Sequence, residues 1–309
     1  MSTVAVGSVL VVGSVNVDIV LRTPRRPRAG ETVAAKNLSV YGGGKGANQA
    51  VASAQFAETA IVAAVGDDAA GREQVAELAS AGVRTRHIAT VSNRTGTAII
   101  VVTPDGENSI VIDSGANELL EPGAIETAGA EGKPTVVLTQ TEIRRDTVEA
   151  AARFAVSVGA RLILNAAPVV ELNSLTLASS DPLVVNEHEA ADLLRMVAHT
   201  SLGVPPRSLA GALRDATGAK SVVVTLGADG ATSSDGDGNL HIPALAVSVR
   251  DTTGAGDAFV GTLAGQLATG RSLNSAMVEA VAAAGRAVTY LGARPPSVVT
   301  ATDGLNPQP

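Results

Sequence analysis

Residues 136–164 read VVLTQTEIRRDTVEAAARFAVSVGARLIL and contain the clearest indication of the fold. Two short apolar runs, Val136–Leu138 and Leu162–Leu164, flank Arg145–Val158, an alanine-rich segment of helical length. The runs are continuously apolar and do not alternate with polar residues, which is typical of strands buried on both faces. A strand, a helix and a second strand in this order predict a parallel βαβ unit.

The same alternation of strand-like and helix-like segments continues along the chain. The other strand-like runs are Val9–Val12, Ile61–Val65, Leu183–Val185 and Val222–Thr225. The other alanine-rich segments of helical length are Gly46–Ala57, Gly71–Ala81, Glu187–Val197 and Ser208–Ala216. We therefore predict an α/β fold with a doubly wound, mostly parallel sheet flanked by helices.

Two segments interrupt this alternation. Residues 16–44 contain proline and glycine and show no helical period, and Thr97–Ile112 holds two strand-like runs around the turn residues Pro104–Glu107. The second segment predicts a β-hairpin. We expect both segments to pair into a small β-sheet lid, with ordinary surface loops as the alternative. The predicted domains are the lid, residues 16–44 and 96–113, and the α/β domain, residues 1–15, 45–95 and 114–309.

The composition excludes several classes of protein. The chain has 309 residues, of which 45% are hydrophobic and 17% charged, so it can bury a large core. A net charge of −7, an aromatic share of 2% and the absence of tryptophan argue against nucleic-acid binding. The absence of cysteine excludes disulfides and thiolate metal sites. We find no signal-peptide pattern and no apolar stretch of the roughly 18–20 residues that span a bilayer, so we expect a cytoplasmic protein without membrane contact.

The segment DTTGAGD, residues 251–257, carries the strongest chemical signal. Its small residues let backbone N–H groups approach a ligand, and a helix that starts here would bind an anion at its N-terminus. Asp257 would lie beside that anion, where a carboxylate is unfavourable unless it accepts the proton of an attacking hydroxyl. The alternative is an ordinary helix start with aspartate in the first turn, where the helix dipole favours it.

A glycine-rich segment, residues 42–50, reads GGGKGANQA. It contains G-x-G-x-x-A, but it does not follow the first strand directly, as a dinucleotide-binding fingerprint should. It is not a P-loop, because Lys45 is followed by Gly46 and not by serine or threonine. Lys45 and Asn48, one helical turn apart, could instead bind the hydroxyls of a polyol. A flexible hinge is the alternative.

Polar residues also follow three of the predicted strands. Asn16 and Asp18 come after the first strand and alternate on one side of an extended chain, and an aspartate can accept two sugar hydroxyls. Residues 186–189 and 225–230 follow two later strands, at the edge where open α/β sheets bind ligands. Each signal alone is weak, and a polar turn is the alternative at Asn16.

Together these segments resemble the ribokinase branch of the PfkB carbohydrate kinase family, from Gly13 to about Ser297. The segment DTTGAGD matches the second signature of the family, and GGKGANQA, residues 43–50, is typical of this branch. The resemblance implies ATP-dependent phosphorylation of D-ribose at O5, with Mg²⁺ and an activating K⁺. It also implies a homodimer formed through the lid.

The resemblance assigns the residues around the reacting atoms. Asp257 would be the base that takes the proton of the ribose 5-hydroxyl. The N–H groups of Gly254, Ala255 and Gly256 would form an anion hole for the γ-phosphate. The residues that would bind ribose are Asn16, Asp18, Gly44, Lys45, Asn48 and Glu142.

The resemblance also assigns a nucleotide site and a cation site. Asn186 and Glu189 would help to place phosphates and Mg²⁺ through water. Thr225 to Gly230, with Gly227 among them, would line the ATP site together with Gly256. The monovalent-cation loops would contain Asp251, Thr253, Ala287, Tyr290, Gly292 and Ser297.

Three features depart from the family pattern. The stretch from Gly292 to Ser297 carries one extra residue, which leaves Pro296 and Ser297 as alternatives for the last potassium ligand. Ala280–Val281 is apolar where many relatives place a polar side chain near adenine, so nucleotide preference would be looser. The tail after Ser297 is short and polar, without the closing helix of many relatives.

Other functions remain as alternatives. A kinase of the same family could act on 2-deoxyribose, a nucleoside or another sugar. A sugar-binding protein without turnover would have no need for a carboxylate beside an anion site. An oxidoreductase that uses NAD would require the fingerprint that the first strand lacks.

Overall fold

The structure is a computed structural model that describes residues 7–104, 108–129, 132–198 and 203–295. The strands of this part are β1 (Ser8–Val12), β2 (Asn16–Arg22), β3 (Asn37–Gly43), β4 (Glu58–Gly66), β5 (Arg84–Val91), β6 (Gly96–Val102), β7 (Asn108–Asp113), β8 (Val136–Gln140), β9 (Arg161–Asn165), β10 (Ser180–Asn186), β11 (Val222–Thr225), β12 (Ala231–Asp235) and β13 (Gly238–Ile242). The α-helices are α1 (Lys45–Ala54), α2 (Ala69–Ser80), α3 (Gly123–Gly129), α4 (Arg145–Val158), α5 (Ser174–Ser179), α6 (Glu187–Ala198), α7 (Leu209–Thr217), α8 (Ala255–Ala268) and α9 (Leu273–Ala287).

Nine strands form the large sheet, in the order β13-β12-β11-β10-β9-β8-β1-β4-β5. Every neighbouring pair from β11 to β5 is parallel, whereas β12 and β13 add an antiparallel hairpin at one edge. The prediction of a mostly parallel sheet flanked by helices is therefore confirmed. The helix bounds differ from the predicted ones by up to three residues, and the strands β5, β12 and β13 were not predicted.

Four strands form a separate small sheet, in the order β3-β2-β6-β7. The predicted hairpin is present as the antiparallel pair β6 and β7, although residues 105–107 of its predicted turn lie outside the described residues. Strand β2 pairs with both β3 and β6, so the two interrupting segments join in one sheet. Because β2 starts four residues after β1 ends, the chain passes almost directly from the large sheet to the small one.

Aliphatic side chains on both faces of the large sheet form two core layers. On β1, Leu10 and Val12 belong to the layer that packs against α4, α6 and α7. Val9 and Val11 belong to the opposite layer, with residues of α1, α8 and α9. This arrangement explains why the strands are continuously apolar. Among the helices of the described ranges, none is both long and apolar enough to cross a membrane.

Helix α1 packs closely on the segment between β1 and β2, and glycine makes this possible. Gly44 precedes the helix with φ of +84°, and a Cβ there would lie 2.7 Å from the backbone nitrogen of Asn16. A Cβ on Gly46 would lie 2.6 Å from the carbonyl carbon of Gly13. A larger residue at either position would push α1 away from the polar residues that follow β1.

Candidate active site

Polar side chains gather at the carboxyl end of the large sheet. Asn16 follows β1, Glu142 follows β8, and Asn165, Asn186 and Thr225 are the last residues of β9, β10 and β11. Because these strands are parallel, their carboxyl ends lie at one edge, which is where open α/β sheets bind ligands.

Asp257 lies in the first turn of α8 and is buried. The helix starts after Gly254, which has φ of +74°, and a Cβ there would lie 2.4 Å from the Cα of Ala293. Glycine is therefore required at 254 by both conformation and space. Of the three predicted anion-hole N–H groups, that of Ala255 donates to the carbonyl oxygen of Thr252 at 3.3 Å. Such a long hydrogen bond is weak, so a phosphate oxygen can replace it.

Two amide side chains donate to the Asp257 carboxylate. Asn48 Nδ2 lies 2.9 Å from Oδ2, and Gln49 Nε2 lies 2.9 Å from Oδ1. Gln49 Nε2 also donates to Asn165 Oδ1, and Gln140 Nε2 donates to Gln49 Oε1 at 2.7 Å. Both carboxylate oxygens are thus oriented by buried donors.

Gln49, Gln140 and Asn165 were not predicted as site residues. Gln49 belongs to the GGKGANQA motif, but only Lys45 and Asn48 of that helix were singled out. Gln140 and Asn165 end neighbouring strands, β8 and β9. The signal that could have identified them is the same strand-end position that drew attention to residues 186–189.

Asn16 is buried at the start of β2, and a neighbouring amide fixes its orientation. Asn117 Nδ2 donates to Asn16 Oδ1 at 2.7 Å, and Asn117 Oδ1 accepts the N–H of Val15 at 2.9 Å. Because its oxygen is engaged, Asn16 offers its Nδ2 to a ligand as a donor.

Asp18 is buried two residues further along the strand and packs against Gly43 of β3, where a Cβ would lie 2.1 Å from Asp18 Oδ1. Burial, together with the nearby carboxylate of Glu142, raises the pKa of Asp18 to about 6. Arg294 acts in the opposite direction.

Glu142 is attached to the start of α1. Its Oε2 accepts the Ser14 hydroxyl at 2.7 Å and the backbone N–H of Lys45 at 3.0 Å. These two bonds do not use Oε1, which is therefore available to accept a hydroxyl of a ligand.

Lys45 lies among four carboxylates. Burial lowers its pKa, but the negative charges of Asp257, Glu142, Glu189 and Asp18 more than offset burial, so the pKa is raised overall. The ammonium group therefore stays protonated at neutral pH. The site thus holds a positive charge near the buried carboxylate of Asp257.

A cavity of about 790 Å³ lies beside the first turn of α8. Its lining includes the predicted nucleotide residues Asn186, Thr225, Gly227, Gly230 and Gly256. Its lining also includes the apolar residues Leu245, Val247, Val281, Ala284 and Val288. A slot with apolar walls and a few polar groups suits a flat heterocyclic base. Of the apolar pair singled out in the sequence, Val281 lines this cavity and Ala280 lies in the core.

Asn186 and Glu189 cap the start of α6 reciprocally. The backbone N–H of Asn186 donates to Glu189 Oε2, and the N–H of Glu189 donates to Asn186 Oδ1, both at 2.8 Å. This is a capping arrangement, so the stability of the start of α6 is one reason for an asparagine at 186 and a glutamate at 189. Glu189 Oε1 is not used by the cap. Burial raises the pKa of Glu189, while its hydrogen bond to Asn186 and the charge of Lys45 oppose this.

The two predicted cation loops are joined by Asp251. Its Oδ1 accepts the N–H of Thr253 at 2.9 Å, and its Oδ2 accepts the N–H of Gly292 at 3.1 Å. Tyr290 donates its N–H to the carbonyl oxygen of Ala287 at 3.4 Å within the second loop. Asp251, Thr253, Tyr290 and Gly292 thus lie on two loops in contact with each other, and Ala287 ends α9 just before the second loop. Pro296 and Ser297, the alternatives for the last ligand, lie outside the described residues, as does the polar tail.

Comparison with known proteins gives a consistent family. Residues 6–300 match the family described as pfkB family carbohydrate kinase. The chain is 36% identical over 291 residues to a ribokinase from Bacillus subtilis, which covers 93% of this chain and 94% of that one. It is 35% identical over 288 residues to a deoxyribokinase from Salmonella typhi, covering 92% and 93%.

Solved structures agree with this result. A ribokinase from Thermotoga maritima aligns with a TM-score of 0.85 and 32% identity over 93% of this chain and 94% of that one. A ribokinase from Arabidopsis thaliana, complexed with ribose and ATP, aligns with a TM-score of 0.81 and 30% identity over 93% and 94%.

The fold is the α/β fold of the ribokinases, and the start of helix α8 lies beside the buried carboxylate of Asp257. This combination is typical of kinases that phosphorylate an alcohol group. The chain belongs to the pfkB family of carbohydrate kinases. It is a sugar kinase of this family, and ribokinases similar to it have been solved in complex with ADP and with ribose and ATP. Because its relatives include both ribokinases and deoxyribokinases, the sugar must be assigned from the pocket itself.

Proposed function

We propose that this protein transfers the γ-phosphoryl group of ATP to O5 of D-ribose, giving D-ribose 5-phosphate and ADP. The observation that carries the proposal is the position of Asp257. Asp257 accepts a hydrogen bond from Asn48, one of the residues predicted to bind the sugar. The preceding residue, Gly256, lines the cavity predicted to bind the nucleotide. A base in this position can reach a hydroxyl that faces the terminal phosphate.

The residues on the sugar side offer a matched set of donors and acceptors. Asp18 and Glu142 Oε1 can accept hydrogen bonds from hydroxyls, whereas Asn16 Nδ2 and the Lys45 ammonium group can donate them. Asn48 adds another N–H, and Gly44 keeps the backbone close to the pocket. A ribose molecule, whose hydroxyls both donate and accept, can satisfy this set.

In the proposed reaction, O5 attacks the γ-phosphorus in line with the leaving group. The O5–P bond forms, the bond between γ-phosphorus and the bridging oxygen of ADP breaks, and the O5 proton passes to the Asp257 carboxylate. The transition state is loose, so the protein contributes mainly position and charge. Lys45 and the N–H groups of Gly254, Ala255 and Gly256 stabilise the negative charge on the transferring group.

Asn186 and Glu189 are suited to hold the Mg²⁺ that accompanies ATP in such kinases. Carboxylate and amide oxygens are ligands that Mg²⁺ accepts, commonly through water, and Glu189 Oε1 is not used by the helix cap. When bound, Mg²⁺ neutralises charge on the phosphates.

The loops joined by Asp251 fit a monovalent cation, and we include K⁺ activation in the proposal. Both Asp251 oxygens accept backbone N–H groups, so the carboxylate holds the two loops together. Backbone carbonyl oxygens of Thr253, Ala287, Tyr290 and Gly292 would then supply most ligands. In the described part of the chain, no cluster of three acidic or histidine side chains could hold a metal ion by itself.

We further propose that the small sheet, residues 16–44 and 96–113, acts as a lid and as a dimer interface. The strand register places Ile19, Val40, Ile99 and Val111 in one row on the face opposite Asp18. Val40, Ile99 and Val111 are exposed, and Leu38 adds to the same face. A second copy of the chain would bury this apolar surface.

Measurement of ADP release at saturating Mg·ATP tests the proposal. D-ribose, 2-deoxyribose, fructose and adenosine would be compared, each with K⁺ and with Na⁺. We expect strong turnover with ribose, raised by K⁺. Turnover with another acceptor would leave Asp257 and the anion hole in place but contradict the assigned sugar. Absence of turnover with all four would favour a sugar-binding protein without catalysis.

The second candidate acceptor is 2-deoxyribose, which the likeness to the Salmonella deoxyribokinase favours. The buried, charged acceptors of the sugar side argue for ribose. A sugar that lacks one hydroxyl leaves one buried partner unpaired, at a cost of about 1–3 kcal/mol. The ratio of kcat/KM for ribose and 2-deoxyribose therefore measures the free energy lost when the hydroxyl is missing.

A further inference from the structure

Arg294 lies in the stretch from Gly292 to Ser297, which was noted in the sequence only for its extra residue. Its side chain connects several elements around the proposed sugar site. We propose that it is a positioning residue that fixes the orientation of the Asn48 amide and ties the C-terminal loop to strand β3. This inference rests on the proposed function, because it concerns the same sugar pocket.

The guanidinium group donates to acceptors on three different elements. Its Nε donates to Asn48 Oδ1 on α1 at 2.9 Å, and its Nη2 donates to the carbonyl oxygen of Gly43 on β3 at 2.9 Å. Its Nη1 donates to Gln74 Oε1 at 3.0 Å and to Glu77 Oε2 at 3.1 Å, both on α2. The Arg294 side chain is only 12% exposed, so its bonds to Asn48, Gly43 and Gln74 are partly shielded from water, while Glu77 is half-exposed.

The surroundings are shaped for this side chain. A Cβ on Gly42 would lie 2.4 Å from Arg294 Nη1 and 2.5 Å from Glu77 Oε2, so glycine at 42 leaves room for the ion pair. Only the planar, forked guanidinium can serve acceptors in such different directions at once. A lysine could make one or two of these bonds but not all four.

The bond to Asn48 determines what that residue can do. Its Oδ1 is taken by Arg294, and one N–H of Nδ2 donates to Asp257 Oδ2. The remaining N–H can only donate, so Asn48 acts on a sugar hydroxyl as a donor. A flipped amide would place its oxygen against the Asp257 carboxylate and its NH₂ group against the guanidinium, so Arg294 and Asp257 together select one orientation of Asn48.

Arg294 also belongs to the loop that supports the anion hole. Gly292, two residues earlier, donates to Asp251, and Ala293 packs directly under Gly254. In this short loop, Ala293 therefore contacts the start of α8, and the next residue, Arg294, contacts the proposed sugar pocket.

The test compares Arg294→Gln and Arg294→Lys with the wild type and with Arg271→Gln, a surface control from a distant ion pair with Glu279. For the sugar, we expect KM and the dissociation constant from calorimetry to rise about tenfold in Arg294→Gln, with a smaller rise in Arg294→Lys. The KM for ATP should change less than twofold. Arg271→Gln should match the wild type.

A double-mutant cycle with Asn48→Ala separates positioning from general support. If Arg294 acts through Asn48, its substitution should have little further effect on sugar affinity once Asn48 is alanine. Fully additive effects, or an unchanged sugar affinity in Arg294→Gln, would overturn the inference. If Arg294→Gln does not fold, Glu77→Ala, at a half-exposed position, loosens the same guanidinium and should raise the sugar KM alone.

Failure of this inference is distinguishable from failure of the proposed function. A wild type that phosphorylates none of the four acceptors contradicts the function. A wild type that phosphorylates ribose, with an Arg294→Gln variant that binds ribose equally well, contradicts only the role of Arg294.

Discussion

Asn48 Nδ2 lies 2.9 Å from Asp257 Oδ2, although the two residues are 209 positions apart in the chain. The residue predicted to bind the sugar and the residue predicted to take its proton therefore share a hydrogen bond. This hydrogen bond connects the proposed sugar pocket to the proposed reacting centre, so a substitution at either residue should affect the other.

Asp257→Asn should lower kcat by about 10²–10⁴. The variant keeps the shape of the side chain but removes the group that accepts the O5 proton. The dissociation constant of ribose should change only a few-fold, because the other sugar-binding groups remain. Steady-state kinetics and calorimetry measure the two quantities. Asp215→Asn, at an exposed position on α7, is the matched control. Near wild-type turnover in Asp257→Asn would exclude Asp257 as the base.

Sugar affinity should depend on pH through Asp18. Burial, with Glu142, raises its pKa to about 6, so below this pH the free enzyme carries a protonated carboxyl that cannot accept two hydroxyls. We expect the ribose dissociation constant to rise up to about tenfold per pH unit as the pH falls from 6 to 5. Calorimetry from pH 5 to 8 measures this. A flat profile, or the same slope in Asp18→Asn, would contradict the assignment.

The same carboxyl should reduce the stability of the folded protein. Its pKa is about 6 when folded and near 3.8 when unfolded, so between these values the folded state binds more protons. Stability from this group therefore falls as the pH rises from about 4 to 6, and is then constant. Asp18→Asn should raise the free energy of unfolding at pH 8 by about 1–3 kcal/mol. Urea unfolding at pH 4 and pH 8 should show the gain only at pH 8.

Ribose should slow hydrogen exchange in the small sheet. Asn16 and Asp18 lie on β2, so a sugar held there orders that strand and its neighbours β3 and β6. We expect slower exchange in peptides from β2, β3, β6 and β7 at saturating ribose. Peptides from α7, on the far part of the large sheet, serve as the internal control. Unchanged exchange in all four strands would remove the lid from the proposal.

The response to monovalent cations should depend on Asp251. Asp251→Asn cannot accept from both Thr253 and Gly292, because one of its oxygens becomes an NH₂ group. The ratio of activity in K⁺ to activity in Na⁺ should therefore fall towards one, while ribose affinity stays near that of the wild type. A variant that keeps the full K⁺ stimulation would place the cation elsewhere.

Most of the fold could be predicted from the sequence because the parallel strands are continuously apolar. Strand β12, with the sequence ATSSD, gave no such signal, yet Thr232, Ser233 and Ser234 are buried. Its position follows from pairing with β11 and β13 and not from its own hydrophobicity. Propensity cannot identify a strand whose burial depends on its neighbours.

Some residues of the candidate site could likewise be predicted from the sequence, and others could not. Asp257 and Lys45 could be predicted because glycine-rich motifs mark them. Gln49 and Arg294 were not identified, because their hydrogen bonds go to residues far away in the chain, whereas Gln140 could have been identified only from its position at the end of β8. No local pattern records which amide will meet which carboxylate.

The direct passage from β1 into β2 has a consequence for the economy of ATP. Asn16 and Asp18 occupy the junction of the two sheets, so the molecule that fills the pocket is also the one that bridges them. A water molecule is too small to make contacts on both sides of this junction. Under the proposed mechanism, ATP is therefore hydrolysed only slowly when no sugar is present, because phosphoryl transfer requires a polyhydroxyl acceptor in the pocket.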